Sequence, residues 1–143
     1  MKPRTRARAL ALQVLYEVDI ASHQPGDVLR DRLVETPLSD DLAEFARQII
    51  FGILPLTHEL DLLIAKYAPE WPLDQIAAID RNILRMALWE FSVFHETPVK
   101  VAINEAVELA KQYGSDSAPR FINGVLGSLA EHQAEIKQVI QNT

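Results

Sequence analysis

The chain contains no cysteine, and this absence excludes several classes of protein at once. Without thiols it can form no disulfide framework, use no cysteine nucleophile and build no thiolate metal site. A chain without cysteine also suits a reducing cytoplasm. We therefore expect a cytoplasmic protein whose fold depends on packing alone.

Long apolar runs are missing as well. No stretch of about 18 consecutive apolar residues occurs, so the sequence predicts no membrane-spanning helix and no membrane partner. The basic start followed by ALALQVL is similar to a targeting peptide. However, Glu17 and Asp19 interrupt its apolar part, and no small-residue cleavage site follows. We expect the N-terminal segment to be part of the fold.

The sequence also lacks the motifs that most enzymes and metal proteins carry. It has no Gly-rich phosphate loop, no GxSxG elbow and no HExxH pair. Its histidines, at positions 23, 58, 95 and 132, are isolated and do not have the spacing of metal ligands. We expect no catalysis, no cofactor and no metal ion, with the histidines at the surface.

The remaining composition is that of an ordinary globular chain. Of 143 residues, 48% are apolar and 24% are charged, and the net charge is −6. A chain of this length buries roughly two-thirds of its unfolded surface on folding. We expect a single domain over residues 1–143.

Acidic residues are absent from one segment, the first sixteen residues. That segment contains Lys2, Arg4, Arg6 and Arg8, whereas the rest of the chain carries ten basic residues against 20 acidic ones. A basic segment on an acidic protein attracts a phosphate chain locally and discourages binding elsewhere. We call these four residues the basic arm.

The apolar residues recur with the period of an α-helix, and no segment alternates with period two. The sequence therefore predicts an all-α fold of two packed helical bundles, each of about three to four helices. The N-terminal half covers about 1–68 and the C-terminal half about 69–143, divided at PEWP, residues 69–72. The predicted helices lie at about 4–22, 27–35, 39–54, 56–68, 73–95 and 99–113, and a last one begins at residue 120.

Several residues mark where these helices begin and end. Ser39 is typical of an N-cap, and Pro55 predicts a bend. Gly114 predicts the end of the sixth helix. Residues beyond about 136 are expected to fray.

The fifth predicted helix has carboxylates on its apolar side. At 100° per residue, one side of this helix is formed by Ile76, Ile79, Ile83, Ala87 and Phe94. Asp80 and Glu90 lie on or beside that apolar side, whereas Arg81 and Arg85 lie on the other side. An unpaired buried carboxylate is costly. Each acid therefore either pairs with a donor from another helix or stays free for a binding partner. Trp89 falls near the polar side, where a half-buried packing role is expected.

The basic arm is the strongest functional signal. Arg4 and Arg8 lie one helical turn apart and can project together, while Arg6 points elsewhere. Cations at a helix N-terminus oppose the helix dipole, so four of them need a compensating role. A weaker signal is Arg120 with Phe121, at a helix start where anions bind and an aromatic ring can stack on a base. Both signals favour nucleic-acid binding.

Four segments, taken in their order along the chain, carry a resemblance to a known family. They are RTRARALALQVLY, DRNILRMALWEF, PVKVAINEAVELAKQYG and RFINGVLG. With them the chain resembles the NusB family of bacterial transcription antitermination and termination factors, from about residue 3 to about 131. The pair formed by INEAVELAK and FINGVL is also found in the N-terminal domain of a ribosomal RNA cytosine methyltransferase family. A methyltransferase of that family would also need a cofactor-binding domain and a catalytic cysteine. Because this chain has no cysteine, the resemblance to the transcription factor family is favoured.

The resemblance implies an all-helical, non-catalytic protein that binds a single-stranded boxA element of RNA. It also implies a heterodimer with the ribosomal protein NusE, which joins RNA polymerase and other Nus factors during ribosomal RNA synthesis. The implied RNA-binding residues are Lys2, Arg4, Arg6, Arg8, Ser117, Arg120 and Phe121. The implied partner-binding residues are Tyr16 and Asp80.

Other interpretations stay open at this point. The chain could be a helical adaptor between proteins, with the basic arm docking on an acidic partner. It could also be a detached RNA-targeting domain of the methyltransferase. Self-association into a homodimer is open as well.

Overall fold

The computed structural model describes residues 1–142, and within them it is helical with no β-strand. The predicted all-α fold is confirmed. The α-helices are α1 (Pro3–Ala21), α2 (Pro25–Glu35), α3 (Asp40–Ile53), α4 (Thr57–Tyr67), α5 (Ala78–Trp89), α6 (Val99–Tyr113), α7 (Ala118–Glu131) and α8 (Gln133–Gln141). Short 3-10 turns occupy Leu54–Leu56 and Leu73–Gln75, and a π-helical turn occupies Glu90–Phe94.

The chain divides into two compact units, Met1–Pro55 and Leu56–Thr143. The sequence instead suggested a division at 69–72. The difference lies in α4, which packs against α5 and α7 and therefore belongs to the second unit. Asp61 of α4 also accepts two hydrogen bonds from the Arg85 guanidinium of α5, at 2.7 and 2.8 Å. The PEWP segment is thus a turn inside the second unit.

In the first unit, α1 packs against both α2 and α3. The helical period of the sequence predicts an apolar stripe on α1, and its members Ala7, Leu10, Ala11, Val14 and Leu15 are buried, while Val18 is half-buried. Burial nevertheless extends beyond that stripe, because Thr5, Arg8 and Leu12 are buried as well. Between two neighbouring helices, α1 keeps little free surface in this part of its length.

The start of α3 has the predicted cap. The Ser39 hydroxyl accepts a hydrogen bond from the backbone N–H of Leu42 at 3.4 Å. Asp40 and Asp41 occupy the first turn, where the helix dipole favours negative charge. Together they stabilise the beginning of α3 at the expected residue.

The helical run Asp40–Tyr67 contains α3, a 3-10 turn and α4, and its length and hydropathy are sufficient to cross a membrane. The sequence predicted no such segment, because no run of 18 purely apolar residues exists. Core helices of soluble proteins pass the same test of length and composition. The finding is therefore weak evidence for a membrane protein.

Helix α5 lies at the centre of the second unit, where α4, α6 and α7 all pack against it. The prediction of one apolar face was wrong. Arg85 and Trp89, expected on the polar side, are buried, whereas Ile79 is only half-buried. A helix surrounded by neighbours has no solvent face, so helical periodicity does not show how it is oriented.

Two predicted helix ends were also wrong. The fifth helix begins at Ala78 rather than near residue 73, because a 3-10 turn at Leu73–Gln75 precedes it. The C-terminal residues do not fray after 136, since they form α8 and fully bury Ile136. This helix packs against the π-helical turn after α5.

Gly114 ends α6 as predicted, but for a different physical reason. Its φ of −92° is not left-handed, so the backbone does not require glycine. Space does, because a Cβ at this position would lie 2.6 Å from the Cβ of Ala118 and 2.9 Å from the carbonyl oxygen of Ala110. The missing side chain allows the turn between α6 and α7 to close tightly.

Candidate nucleic-acid interface

The structure divides the basic arm into three exposed residues and one buried residue. Lys2, Arg4 and Arg6 are exposed, whereas Arg8 is only 4% exposed. Arg4 and Arg8 project together from α1 as predicted, since both lie over the ring of Phe45, but Arg8 does not have the exposure expected of a phosphate-binding residue. One turn further along α1, the chain already lies against its neighbours, and the side chain is enclosed.

Both arginines contact one aromatic ring, that of Phe45 on α3. The guanidinium carbon of Arg4 lies 4.4 Å from the ring centroid, and that of Arg8 lies 5.2 Å from it. The electron-rich face of an aromatic ring attracts a cation at such distances. Phe45 thus holds one exposed and one buried guanidinium at the start of α1.

The exposed residues of the arm have no acidic partner in the described part of the chain. The first turn of α1 contains no acidic residue, and its N-cap, Lys2, makes no side-chain cap hydrogen bond. The ion pairs found within residues 1–142 involve neither Lys2, Arg4 nor Arg6. The unpaired N–H groups of a helix start add a partial positive charge. This end of α1 is therefore suited to bind an anion such as a phosphate.

The second predicted region lies in the second unit, at the start of α7. Ser115, Asp116 and Ser117 form an exposed turn, and Arg120 is exposed one turn further on. The hydroxyl groups of Ser115 and Ser117 lie 3.4 Å apart. Ser117 occupies the N-cap position of α7 but its side chain caps no backbone N–H. The hydroxyl and guanidinium are thus available at the surface.

Phe121 is half-buried and packs edge-on against Trp71, with ring centroids 6.2 Å apart. The Trp71 ring also lies over Gly124, where a Cβ would be 3.9 Å from it. Trp71 therefore holds the Phe121 ring from one side. The part of Phe121 that remains exposed is a surface on which a base can stack.

Asp80, one of the two predicted partner-binding residues, is 8% exposed. Its Oδ1 has no hydrogen-bond partner among the described residues, and it would lie 3.1 Å from a Cβ on Gly114. Burial raises the pKa of Asp80 above its ordinary value. The sequence left two interpretations of Asp80 open, pairing with a donor from another helix or a carboxylate kept for a binding partner. Pairing with another helix is not seen for Oδ1. Glu90, by contrast, is buried and has a partner within the protein.

Tyr16, the other predicted partner-binding residue, is half-buried on α1. The next residue, Glu17, accepts a hydrogen bond from Arg32 at 3.2 Å and lies 2.9 Å from the imidazole Nδ1 of His23. The hydrogen bond with His23, followed by that with Arg32, lowers the pKa of Glu17. Arg32 also donates to Gln13 at 2.6 Å. This network connects α2 to the part of α1 that carries Tyr16.

The histidines lie near the surface, as predicted. His23, His58 and His95 are exposed, while His132 is half-buried and stacks on Tyr67 at 4.7 Å between ring centroids. In the described part of the chain, no three His, Asp or Glu side chains are grouped in a way that could hold a metal ion.

Sequence reasoning missed two aromatic residues that position the predicted RNA-binding side chains. From sequence, Phe45 was only one of the apolar residues that recur with the helical period, and Trp71 was only a member of the PEWP segment. Each is distant in sequence from the residue that it contacts. The one signal in the sequence that could have drawn attention to Phe45 and Trp71 is the scarcity of large aromatic residues, since the chain has only 5 phenylalanines and 2 tryptophans.

Comparison with protein families gives a match to the NusB family over residues 5–131. Similar proteins include the transcription antitermination protein NusB of Chloroflexus aggregans, 46% identical over 138 residues and 92% of each chain. Another is the protein of the same name from Bacillus pumilus, 40% identical over 129 residues, 90% of this chain and 95% of the relative.

Solved structures agree with the sequence comparison. T. maritima NusB has a TM-score of 0.84 and 33% identity, covering 93% of this chain and 94% of that one. A crystal structure described as antitermination factors NusB and NusE in complex with dsRNA contains a chain with a TM-score of 0.83. That chain is 26% identical, and the match covers 92% of this chain and 98% of that one.

Proposed function

This chain belongs to the NusB family, and we propose that it binds boxA-type single-stranded RNA together with the ribosomal protein NusE. Its relatives are named transcription antitermination proteins, and its activity is accordingly transcription antitermination rather than catalysis. In this proposal the complex acts in the cytoplasm during ribosomal RNA synthesis, and it reaches RNA polymerase with other Nus factors. The observation that carries the proposal is the exposed cationic start of α1.

The basic arm supplies attraction that does not depend on sequence. Lys2, Arg4 and Arg6 are exposed and have no acidic partner among the described residues, so each can displace a counterion from a phosphate. The buried Arg8 contributes by holding Phe45 rather than by reaching the RNA. Three phosphate contacts to a single strand imply a slope of log K against log salt of about −2.1.

Sequence preference needs contacts with bases. Phe121 offers the exposed part of a ring that Trp71 supports, and Ser117 and Arg120 supply hydrogen-bond donors nearby in sequence. Such contacts discriminate between bases, whereas phosphate contacts only position the strand. We assign base recognition to the start of α7 and phosphate binding to the start of α1.

Tyr16 of the first unit and Asp80 of the second unit are each assigned a contact with NusE. Asp80 is 8% exposed, and the exposed part of its carboxyl group can accept a hydrogen bond from a cationic or imidazole side chain of NusE. That energy becomes available only on binding, so it favours the correct partner. The described complex of NusB with NusE and RNA supports this partnership for the family.

The direct test is an RNA shift assay of the full chain with and without NusE, at 50 and 200 mM salt. Binding of a boxA-type single strand is expected to weaken by about twentyfold between the two salt concentrations. NusE should tighten binding and increase the preference for boxA over a scrambled strand. Phe121→Ala should reduce that preference more than it reduces overall binding.

The same assay includes a matched RNA duplex, because the structural neighbour holds double-stranded RNA. Tighter binding of the duplex than of either single strand would contradict the proposal. So would binding to an acidic protein partner, with no RNA shift at 50 mM salt.

Asp80→Asn separates the role of Asp80 in binding from its role in stability. Burial raises the pKa of Asp80 in the folded protein. Ionisation of this carboxyl group therefore lowers the free energy of unfolding as pH rises through that pKa, and asparagine, which does not ionise, avoids the loss. At pH 7 the variant should be more stable by about 1 kcal/mol, with the difference disappearing at pH 3. It should nevertheless bind NusE about tenfold more weakly and RNA alone as before.

Thermal unfolding at the two pH values and a NusE titration by calorimetry measure these effects. Asp74→Asn, which changes an exposed acid on a nearby turn, is the matched control. Unchanged NusE affinity in Asp80→Asn would remove this residue from the interface.

A further inference from the structure

Phe45 is a buried residue of α3 to which neither its sequence pattern nor the proposed function assigns a role. It is only 4% exposed, yet two guanidinium groups lie over its ring. One of them belongs to the exposed Arg4 and the other to the buried Arg8. A ring in this position is more than a filler of the apolar core.

We propose that Phe45 is a positioning residue for RNA binding, which holds the Arg4 guanidinium in place before the RNA arrives. This inference rests on the proposed function, because it gives Phe45 a role only if Arg4 binds a phosphate. The assignment concerns the first unit alone, where α1 and α3 pack against each other.

The physical basis is the entropy of a long side chain. An exposed arginine samples many rotamers, and holding it in one of them for a ligand costs free energy. Contact with the ring at 4.4 Å already restricts Arg4 in the free protein. Less entropy is then lost on binding, and the affinity for the phosphate rises.

Arg8 fixes the ring in turn. Its guanidinium is enclosed and lies 5.2 Å from the centroid, so the ring is held from within the protein while Arg4 stays exposed. Two cations near each other repel, and the electron-rich ring face compensates for this repulsion. The start of α1 can thus concentrate positive charge that would otherwise be unfavourable there.

Arg6 provides an internal reference. Arg6 lies two residues after Arg4, which places it about 200° around the helix. Within the described residues, Arg4 and Arg8 contact the Phe45 ring and Arg6 does not. Phe45 should therefore act on RNA binding through Arg4 and not through Arg6.

A double-mutant cycle tests this directly. Phe45→Leu retains an apolar side chain and removes the ring face, and Arg4→Ala removes the cation. The probe is a fluorescent boxA-type single-stranded RNA at 50 mM salt, with the full chain. Phe45→Leu should weaken binding about fivefold in the wild-type background and not further in the Arg4→Ala background.

The same cycle with Arg6→Ala should be additive, and Phe45→Tyr, which retains the ring, should restore most of the affinity. Ile49→Val is the matched packing control, since Ile49 is fully buried one turn further along α3. It should leave RNA affinity unchanged. Circular dichroism and thermal unfolding confirm that each variant is folded.

If Phe45→Leu does not fold, NMR of the wild-type chain still decides the matter. The Nε–Hε signal of Arg4 should be shifted by the ring current of Phe45, and the signal of Arg6 should not. An unshifted Arg4 signal overturns the inference, and so does an equal effect of Phe45→Leu with and without Arg4. If Arg4→Ala itself leaves RNA binding unchanged, the proposed role of the arm fails instead.

Discussion

Replacing Arg4 and Arg6 together by alanine is expected to weaken binding of single-stranded RNA by about fiftyfold at 50 mM salt. Both guanidiniums are exposed, and neither has an acidic partner within the described residues, so both are available for phosphates. Arginine binds a phosphate through two parallel hydrogen bonds, and alanine replaces none of them. The loss should be similar for boxA-type and scrambled strands.

The salt dependence gives a second readout of the same variant. In this variant only Lys2 remains exposed in the arm. The slope of log K against log salt should therefore become shallower, from about −2.1 to about −0.7. Between 50 and 200 mM the variant should then lose only about threefold in affinity, and its difference from wild type should shrink to about sevenfold. A titration by fluorescence anisotropy at four salt concentrations measures both quantities.

Arg30→Ala with Arg47→Ala is the matched control. It removes two positive charges from the same unit, but each of these arginines is paired with its own carboxylate, Asp27 at 3.3 Å and Glu44 at 3.2 Å. RNA affinity should change by less than about twofold. Equal losses in the two double variants would show that net charge alone, rather than the arm, governs binding.

Gly114→Ala is expected to destabilise the protein by about 3 kcal/mol. The added methyl group would lie 2.6 Å from the Ala118 Cβ, 2.9 Å from the Ala110 carbonyl oxygen and 3.1 Å from Oδ1 of Asp80. Two of these atoms belong to the backbone or to a side chain without torsional freedom, so the clash is relieved only by moving α6 away from α7. That movement costs packing in the core of the second unit.

Gly127→Ala provides the control, because apart from the neighbouring backbone of α7 itself no atom lies within 4 Å of the Cβ that it adds. Alanine is the better helix former, so this variant should be more stable by about 0.5–1 kcal/mol. Urea unfolding followed by circular dichroism compares both variants with wild type. A Gly114→Ala protein as stable as wild type would show that the turn is not tightly closed in solution.

Much of the fold was predictable because helices depend on local sequence. The 3.6-residue period showed the apolar stripe of α1, and the hydroxyl of Ser39 with its following acids marked the start of α3. The end of α6 at Gly114 was also found from sequence, although the reason for that glycine was not. These features need only residues within a few positions of each other.

The candidate site was predictable in part. The concentration of positive charge at the start of α1 is visible in the sequence, and so is the cluster around Arg120. The aromatic residues that support these side chains were not found, because Phe45 and Trp71 are more than 35 residues from Arg8 and Phe121 respectively. No local pattern connects residues so far apart.

By itself, the sequence determined the helical class, most helix ends, the charge asymmetry and membership of the NusB family. Only the tertiary structure decided that Arg8 is enclosed while Arg4 is exposed, that α5 is buried on nearly every side, and that α4 belongs to the second unit. Periodicity and capping are properties of a single helix. Burial depends instead on how many other helices surround it, and those contacts join residues that are distant along the chain.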